Sequence, residues 1–120
     1  MKTIKLLFAI VLLAAIGVTV SAQAHDHQKM ASTKTETFKV WGNCDMCKAR
    51  IEKAVKEEGA TGADWSTKTK ILTVTFDPAK ASIDSFSKKL ASVGHDTEKY
   101  KANDEAYNAL DTCCKYDRKK

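Results

Sequence analysis

The sequence predicts an α+β fold, a four-stranded antiparallel sheet with two helices on one face, followed by a C-terminal extension. Three observations predict it. Residues 37–41 and 71–76 alternate apolar and polar side chains, the period of a half-buried strand. Two other stretches, opening near Met46 and near Ser82, repeat their apolar residues with the period of a helix. Gly59 and Gly94 stand where each helical stretch runs out, the usual place of a left-handed stop residue.

Taken in order, Phe38 and Val40 lie on one side of the first strand, and Gly42-Asn43 supplies the turn after it. Cys47, Ile51, Ala54 and Val55 then share one helical face. A weaker strand is expected at residues 63–66, with a turn at Thr67-Lys68-Thr69. Leu72, Val74 and Phe76 alternate with Thr73 and Thr75, and Asp77-Pro78 ends that strand. The second helix opens at Ser82 or Asp84 and puts Ile83, Phe86, Leu90 and Val93 on one stripe. A short last strand is expected at residues 96–100. The order β-α-β-β-α-β is that of the ferredoxin-like sandwich. Residues 102–120 form the extension, with a short helix expected at 105–110, and Tyr107 and Leu110 are placed to dock it.

The chain has 120 residues, a length for one domain. Its start reads as an export signal: Lys2 and Lys5, an apolar run over residues 6–20, then Ala22-Gln23-Ala24. Cleavage after Ala24 is expected, leaving a mature chain outside the cytoplasm, periplasmic or extracellular. A retained membrane anchor is the alternative, but the run is shorter than the ~20 residues of a spanning helix. Residues 25–34 are polar and aperiodic and read as a disordered linker before a domain at 35–101. Losing Lys2 and Lys5 lowers the formal net charge from +5 to +3. That mild excess, without a basic stripe and interleaved aromatics, speaks against nucleic-acid binding and suits a soluble monomer.

Four cysteines in a short exported chain ordinarily suggest a disulfide framework. Here they fall as Cys44-x-x-Cys47 and adjacent Cys113-Cys114, whereas frameworks scatter their cysteines to close large loops. The arrangement suits ligands. Cysteines two residues apart at a strand-to-helix turn can aim both sulfurs at one point, and the helix N-terminus favours thiolate. Paired thiolates select soft ions: Cu(I) first, since two or three ligands complete its site, with Hg(II), Cd(II) or Zn(II) as alternatives. A structural Zn(II) site would draw further ligands from Cys113, Cys114 or a histidine. The same C-x-x-C also fits a thiol–disulfide oxidoreductase, the competing class, or a plain structural disulfide.

With Phe38-x-Val40-x-Gly42-Asn43-Cys44-Asp45-Met46-Cys47, Ile51-Glu52-Lys53-Ala54-Val55, Val74-x-Phe76-Asp77-Pro78 and Val93-Gly94-His95 in place, residues 35–101 resemble the heavy-metal-associated (HMA) domain family. That family includes copper chaperones, domains of copper-transporting ATPases and a periplasmic mercury-binding protein. The resemblance implies the βαββαβ fold, Cys44 and Cys47 as ligands, and a metal-transporting membrane protein as partner. One departure stands out: Gly42-Asn43-Cys44 is a residue shorter than the family's Gly-Met-x-Cys and lacks its methionine, which packs beneath the metal loop there.

Further ligand candidates lie outside the pair. His95 falls in a loop that the resemblance sets beside the metal loop, where an imidazole could be a third ligand; an ordinary surface histidine is the alternative. Cys113 and Cys114 could cap the ion or pass it on, or instead form a bridge. Cleavage after Ala24 would start the mature chain His25-Asp26-His27, whose free amine and His27 imidazole suit square-planar Cu(II) or Ni(II), with a plain disordered tail as the alternative. Trp41 and Trp65 read as sheet residues, and Lys48, Arg50 and Lys53 as a solvated helix face whose positive charge near the thiolates would also lower their pKa. The expected function is non-enzymatic: buffering a soft ion, Cu(I) above all, or transferring it to a partner by stepwise thiolate exchange.

Overall fold

The computed structural model describes residues 32–118 and 120. The expected export signal, its expected cleavage site and His27 lie outside them. The elements run β1 (Lys34–Lys39), α1 (Asp45–Glu57), β2 (Gly62–Trp65), β3 (Ile71–Phe76), α2 (Ile83–Ser92) and α3 (Asp104–Asn108), with a 3-10 turn at Thr112–Cys114. The sheet order is β1-β3-β2, and both pairings are antiparallel.

Alternation along β3 explains the layering. Leu72, Val74 and Phe76 are buried beneath the helices, together with Phe38 of β1 and Trp65 of β2. From above, α1 contributes Cys47, Ile51, Ala54 and Val55, and α2 contributes Phe86 and Leu90. Phe86 meets Phe76 edge-on, with ring centroids 5.1 Å apart. Each large side chain of this core contributes roughly 1.5–3 kcal/mol by leaving water. On the opposite face threonines pair across the strands, as Thr35 Oγ1 and Thr75 Oγ1 do at 3.0 Å. Ser82 caps α2 through a reciprocal capping box with Ser85. Gly59 and Gly94 have φ of +118° and +102°, so both helices end as their glycines indicate.

Most element ends shift by a residue or two, and two differences go further. β1 begins at Lys34 instead of residue 37, because the ladder with β3 continues until Lys34 faces Phe76. Pairing partners, not apolar period, extend this polar stretch. The fourth strand is reduced to one antiparallel bridge, Val40 with Thr97. Its place on the β1 edge is kept, but side chains do part of the backbone's work. Trp41 N–H donates to the Asp96 carbonyl at 2.9 Å, whereas Lys39 N–H donates to the Glu98 carboxylate at 2.7 Å. The chain then turns instead of extending, since Thr97 N–H donates to the Tyr100 carbonyl and the Ala102 N–H to Asp96 Oδ1.

That turn sends the extension back across the domain. Tyr116 Oη donates to the Gly94 carbonyl at 2.6 Å and accepts from Asp96 N–H at 2.9 Å. Arg118 grips the buried Asp96 carboxylate with Nε and Nη2, at 3.2 and 2.9 Å, and reaches Asp104 with Nη1 at 2.8 Å. Leu110 is buried and Tyr107 packs against the core, its hydroxyl donating to the Tyr116 carbonyl. Gly94 also permits this close approach, since a Cβ there would lie 2.8 Å from the Ala106 carbonyl and 2.9 Å from Leu110 Cδ2.

His95 sits within this packing. It is fully buried and stacks on Tyr116 with centroids 5.6 Å apart; its Nδ1 lies 2.9 Å from the Trp41 carbonyl, so this nitrogen carries the proton. Burial, the largest cause, holds its pKa down at about 4, against opposing help from the Trp41 carbonyl and Asp96. Unfolding frees it to titrate near 6.5, so between these values the unfolded chain binds the extra proton. Stability from this group is therefore complete above pH 6.5 and is lost as pH falls towards 4. The loss is on the order of 3 kcal/mol. Ring-proton NMR should show one of the three histidines titrating near pH 4, and urea midpoints should fall over this window. A full set of histidines titrating near 6.5 would contradict it.

Candidate metal centre

The metal loop follows from the break after Val40. Gly42 and Asn43 carry the chain from the sheet edge to α1, and Cys44 takes the N-cap position in an extended conformation. Cys47 falls one turn into the helix and faces the core, where it is fully buried. Trp65 supports the loop from below. Its indole N–H donates to the Val40 carbonyl at 3.0 Å, and its ring comes so near that a Cβ on Gly42 would lie 2.9 Å from it. Met46 points outward and is exposed. The space under this loop is thus filled by a β2 tryptophan.

A third cysteine completes the arrangement. Cys44 Sγ lies 3.8 Å from Cys47 Sγ and 3.7 Å from Cys114 Sγ, and the three sulfurs are all within 4.8 Å of one another. Cys114 is buried, delivered by the 3-10 turn of the docked extension. Arg50 faces it from α1, Nη1 to Sγ at 3.4 Å, while its other arm is 3.8 Å from Asp111. Cys113 turns the other way. Its Sγ lies 3.2 Å from Met46 Sδ at the surface, and its carbonyl accepts from Asn43 Nδ2 at 3.1 Å.

The three core sulfurs differ electrically. Partial desolvation pushes the Cys44 thiol up, but the Cys47 amide, the Cys113 thiol, the Met46 amide and the Cys114 thiol outweigh it and bring it down to about 7. Those amides belong to the open N-terminus of α1, whose unpaired N–H groups favour the anion. Burial, followed by a hydrogen bond with Cys114, pushes Cys47 up to about 12. Of these two, Cys44 is therefore the sulfur drawn towards thiolate, and Cys47 the one that burial holds as a thiol.

Of the residues singled out from sequence, the structure gathers Cys44, Cys47 and Cys114. It places Cys113 at the rim, and His95 in the core outside the three-sulfur group. Sequence reasoning set Arg50 on a solvated helix face and passed over the Arg118–Asp96 clamp. Arg50 stands three residues beyond Cys47, hence on the same helix side, and that spacing was the available signal. Lys48 turns away from the sulfurs to Glu52 and Asp64, at 2.6 and 2.7 Å.

No family model matches the chain. The periplasmic component of the mercuric transport protein of Pseudomonas aeruginosa is 36% identical over 93 residues, which span 76% of this chain and 92% of that protein. The chain belongs to the heavy-metal-associated domain family. Among solved structures, oxidized MerP from Ralstonia metallidurans CH34 is 34% identical with a TM-score of 0.52, covering 55% of this chain and 94% of its own. The CopZ metallochaperone is 26% identical with a TM-score of 0.51, covering 53% of this chain and 98% of its own. These family members place the antiparallel sheet and its overlying helices in the ferredoxin-like class.

Proposed function

We propose that this protein is an exported, non-enzymatic carrier that holds one soft metal ion, Cu(I) foremost, on Cys44, Cys47 and Cys114 and passes it to a membrane metal transporter. The convergence of three sulfurs within 4.8 Å of one another carries the reading. Cu(I) accepts two or three thiolates, and soft sulfur excludes hard cations. Three thiolates around a monovalent ion leave an excess of negative charge, which the Arg50 guanidinium partly offsets. Relatives named as periplasmic support a place outside the cytoplasm.

The mercuric transport relatives favour Hg(II) as a second cargo for the same sulfurs. Zn(II) suits the group less, since tetrahedral sites want a fourth ligand. A thiol–disulfide oxidoreductase is not favoured, because the relatives are metal-binding and transport proteins.

Competition titration of the reduced protein against a Cu(I) chelator, repeated with Hg(II), tests the reading. One ion per chain is expected, and Cys114→Ser should weaken binding by at least about tenfold. No appreciable hold on Cu(I), Hg(II), Cd(II) or Zn(II) would sink it. An unchanged Cys114→Ser affinity would reduce the site to the Cys44–Cys47 pair.

A further inference from the structure

Five sulfur atoms form a graded path from solvent to core. Met46 and Cys113 are exposed, Cys44 is half-buried, and Cys47 and Cys114 are buried. The outer and inner sulfurs are joined through the 3-10 turn: Met46 Sδ lies 3.2 Å from Cys113 Sγ, Cys113 directly precedes Cys114 in that turn, and Cys44 Sγ lies 3.8 and 3.7 Å from those of Cys47 and Cys114. Met46 is the one large apolar side chain left exposed among the described residues, although it sits on the metal loop itself. Cys113 is held in register by the Asn43 side chain on its carbonyl. An exposed thioether against an exposed thiol makes a two-sulfur donor set chemically unlike the inner one.

We propose that Cys113 and Met46 form an outer landing site, where an incoming soft ion binds first before it moves inward onto Cys44, Cys47 and Cys114. This deepens the carrier reading and rests on it. The ion displaces the Cys113 thiol proton to water and takes the neutral Met46 sulfur as second ligand. The Cys44 thiolate then attacks the ion, and Met46 leaves without needing a proton. Cys47 and Cys114 replace Cys113, each losing its thiol proton. One proton goes to the departing Cys113 thiolate and the other to water. No sulfur changes oxidation state, so the sequence needs no redox partner.

The two exposed positions allow a test that spares the core. Cu(I) supplied as its bathocuproine disulfonate complex would be mixed with reduced protein in a stopped-flow instrument, reading loss of the coloured complex. Cys113→Ser and Met46→Leu should each slow capture by about tenfold, within the range on-rates span among variants of one site. The double variant should be scarcely slower than either, since both changes remove one station. The equilibrium end point should equal that of the unaltered protein. Unaltered capture rates in both variants would overturn the landing site. So would a weakened end point, which would make Cys113 a ligand of the inner group. If the unaltered protein leaves the coloured complex intact at equilibrium, the inner site itself fails and the landing site with it, an outcome recognised by the missing end point.

Discussion

Replacing Cys44 and Cys47 together by serine is expected to lower Cu(I) affinity by more than about a thousandfold, given that a multi-ligand metal site is worth on the order of 10 kcal/mol and here loses two of three donors. Cys114 would remain, but a lone thiolate cannot compete with a chelator for the ion. The fold should survive, because the Trp65 platform beneath the loop is untouched and Cys44 lies only half-buried. The serine at position 47 does enter a fully buried place, so far-UV circular dichroism and a urea midpoint should accompany the titration. Unaltered affinity in a folded double variant would show that the sulfurs converge without a ligating role.

Arg118→Ala should have the second largest effect, and on two readouts at once. Asp96 is fully buried, and its carboxylate is gripped by both Nε and Nη2 of Arg118. Removing the cation leaves a buried anion supported by the Ala102 amide and its remaining neighbours, at a cost of about 3 kcal/mol. That is a large share of the stability of a domain this small. Arg118 also stacks over the Tyr107 ring, 4.6 Å from its centroid, so the extension loses packing as well as charge. Cys114 rides on that extension. The variant should therefore show a lower urea midpoint together with weaker Cu(I) binding, whereas Arg118→Lys should recover part of the first. An unmoved midpoint would mean that the clamp is not holding the extension down.

Most of the fold was legible because its determinants are local. Alternation at residues 71–76 needs no knowledge of the partner strand, and Gly59 and Gly94 announce helix ends by themselves. The fourth strand, kept only as a bridge between Val40 and Thr97, marks the limit. Residues 96–100 carry strand-compatible side chains, but Asp96 and Glu98 supply carboxylates that satisfy backbone amides of residues 102 and 39, and this competes with a regular ladder. Such competition depends on where distant amides lie, which no window of sequence contains. The site divides similarly. Cys44 and Cys47 announce themselves by spacing. Cys113 and Cys114 could be suspected but not told apart, since which one faces inward is decided by a single 3-10 turn. His95 shows the same dependence, its ring being claimed by the Trp41 carbonyl and Tyr116.

The separation of 70 residues between Cys44 and Cys114 makes their meeting a long loop closure. Nothing local draws the two sulfurs together; they meet only once the domain between them has folded and the tail has docked on it. Whatever lifts the tail therefore takes one sulfur away from the other two and leaves the first cysteine pair by itself.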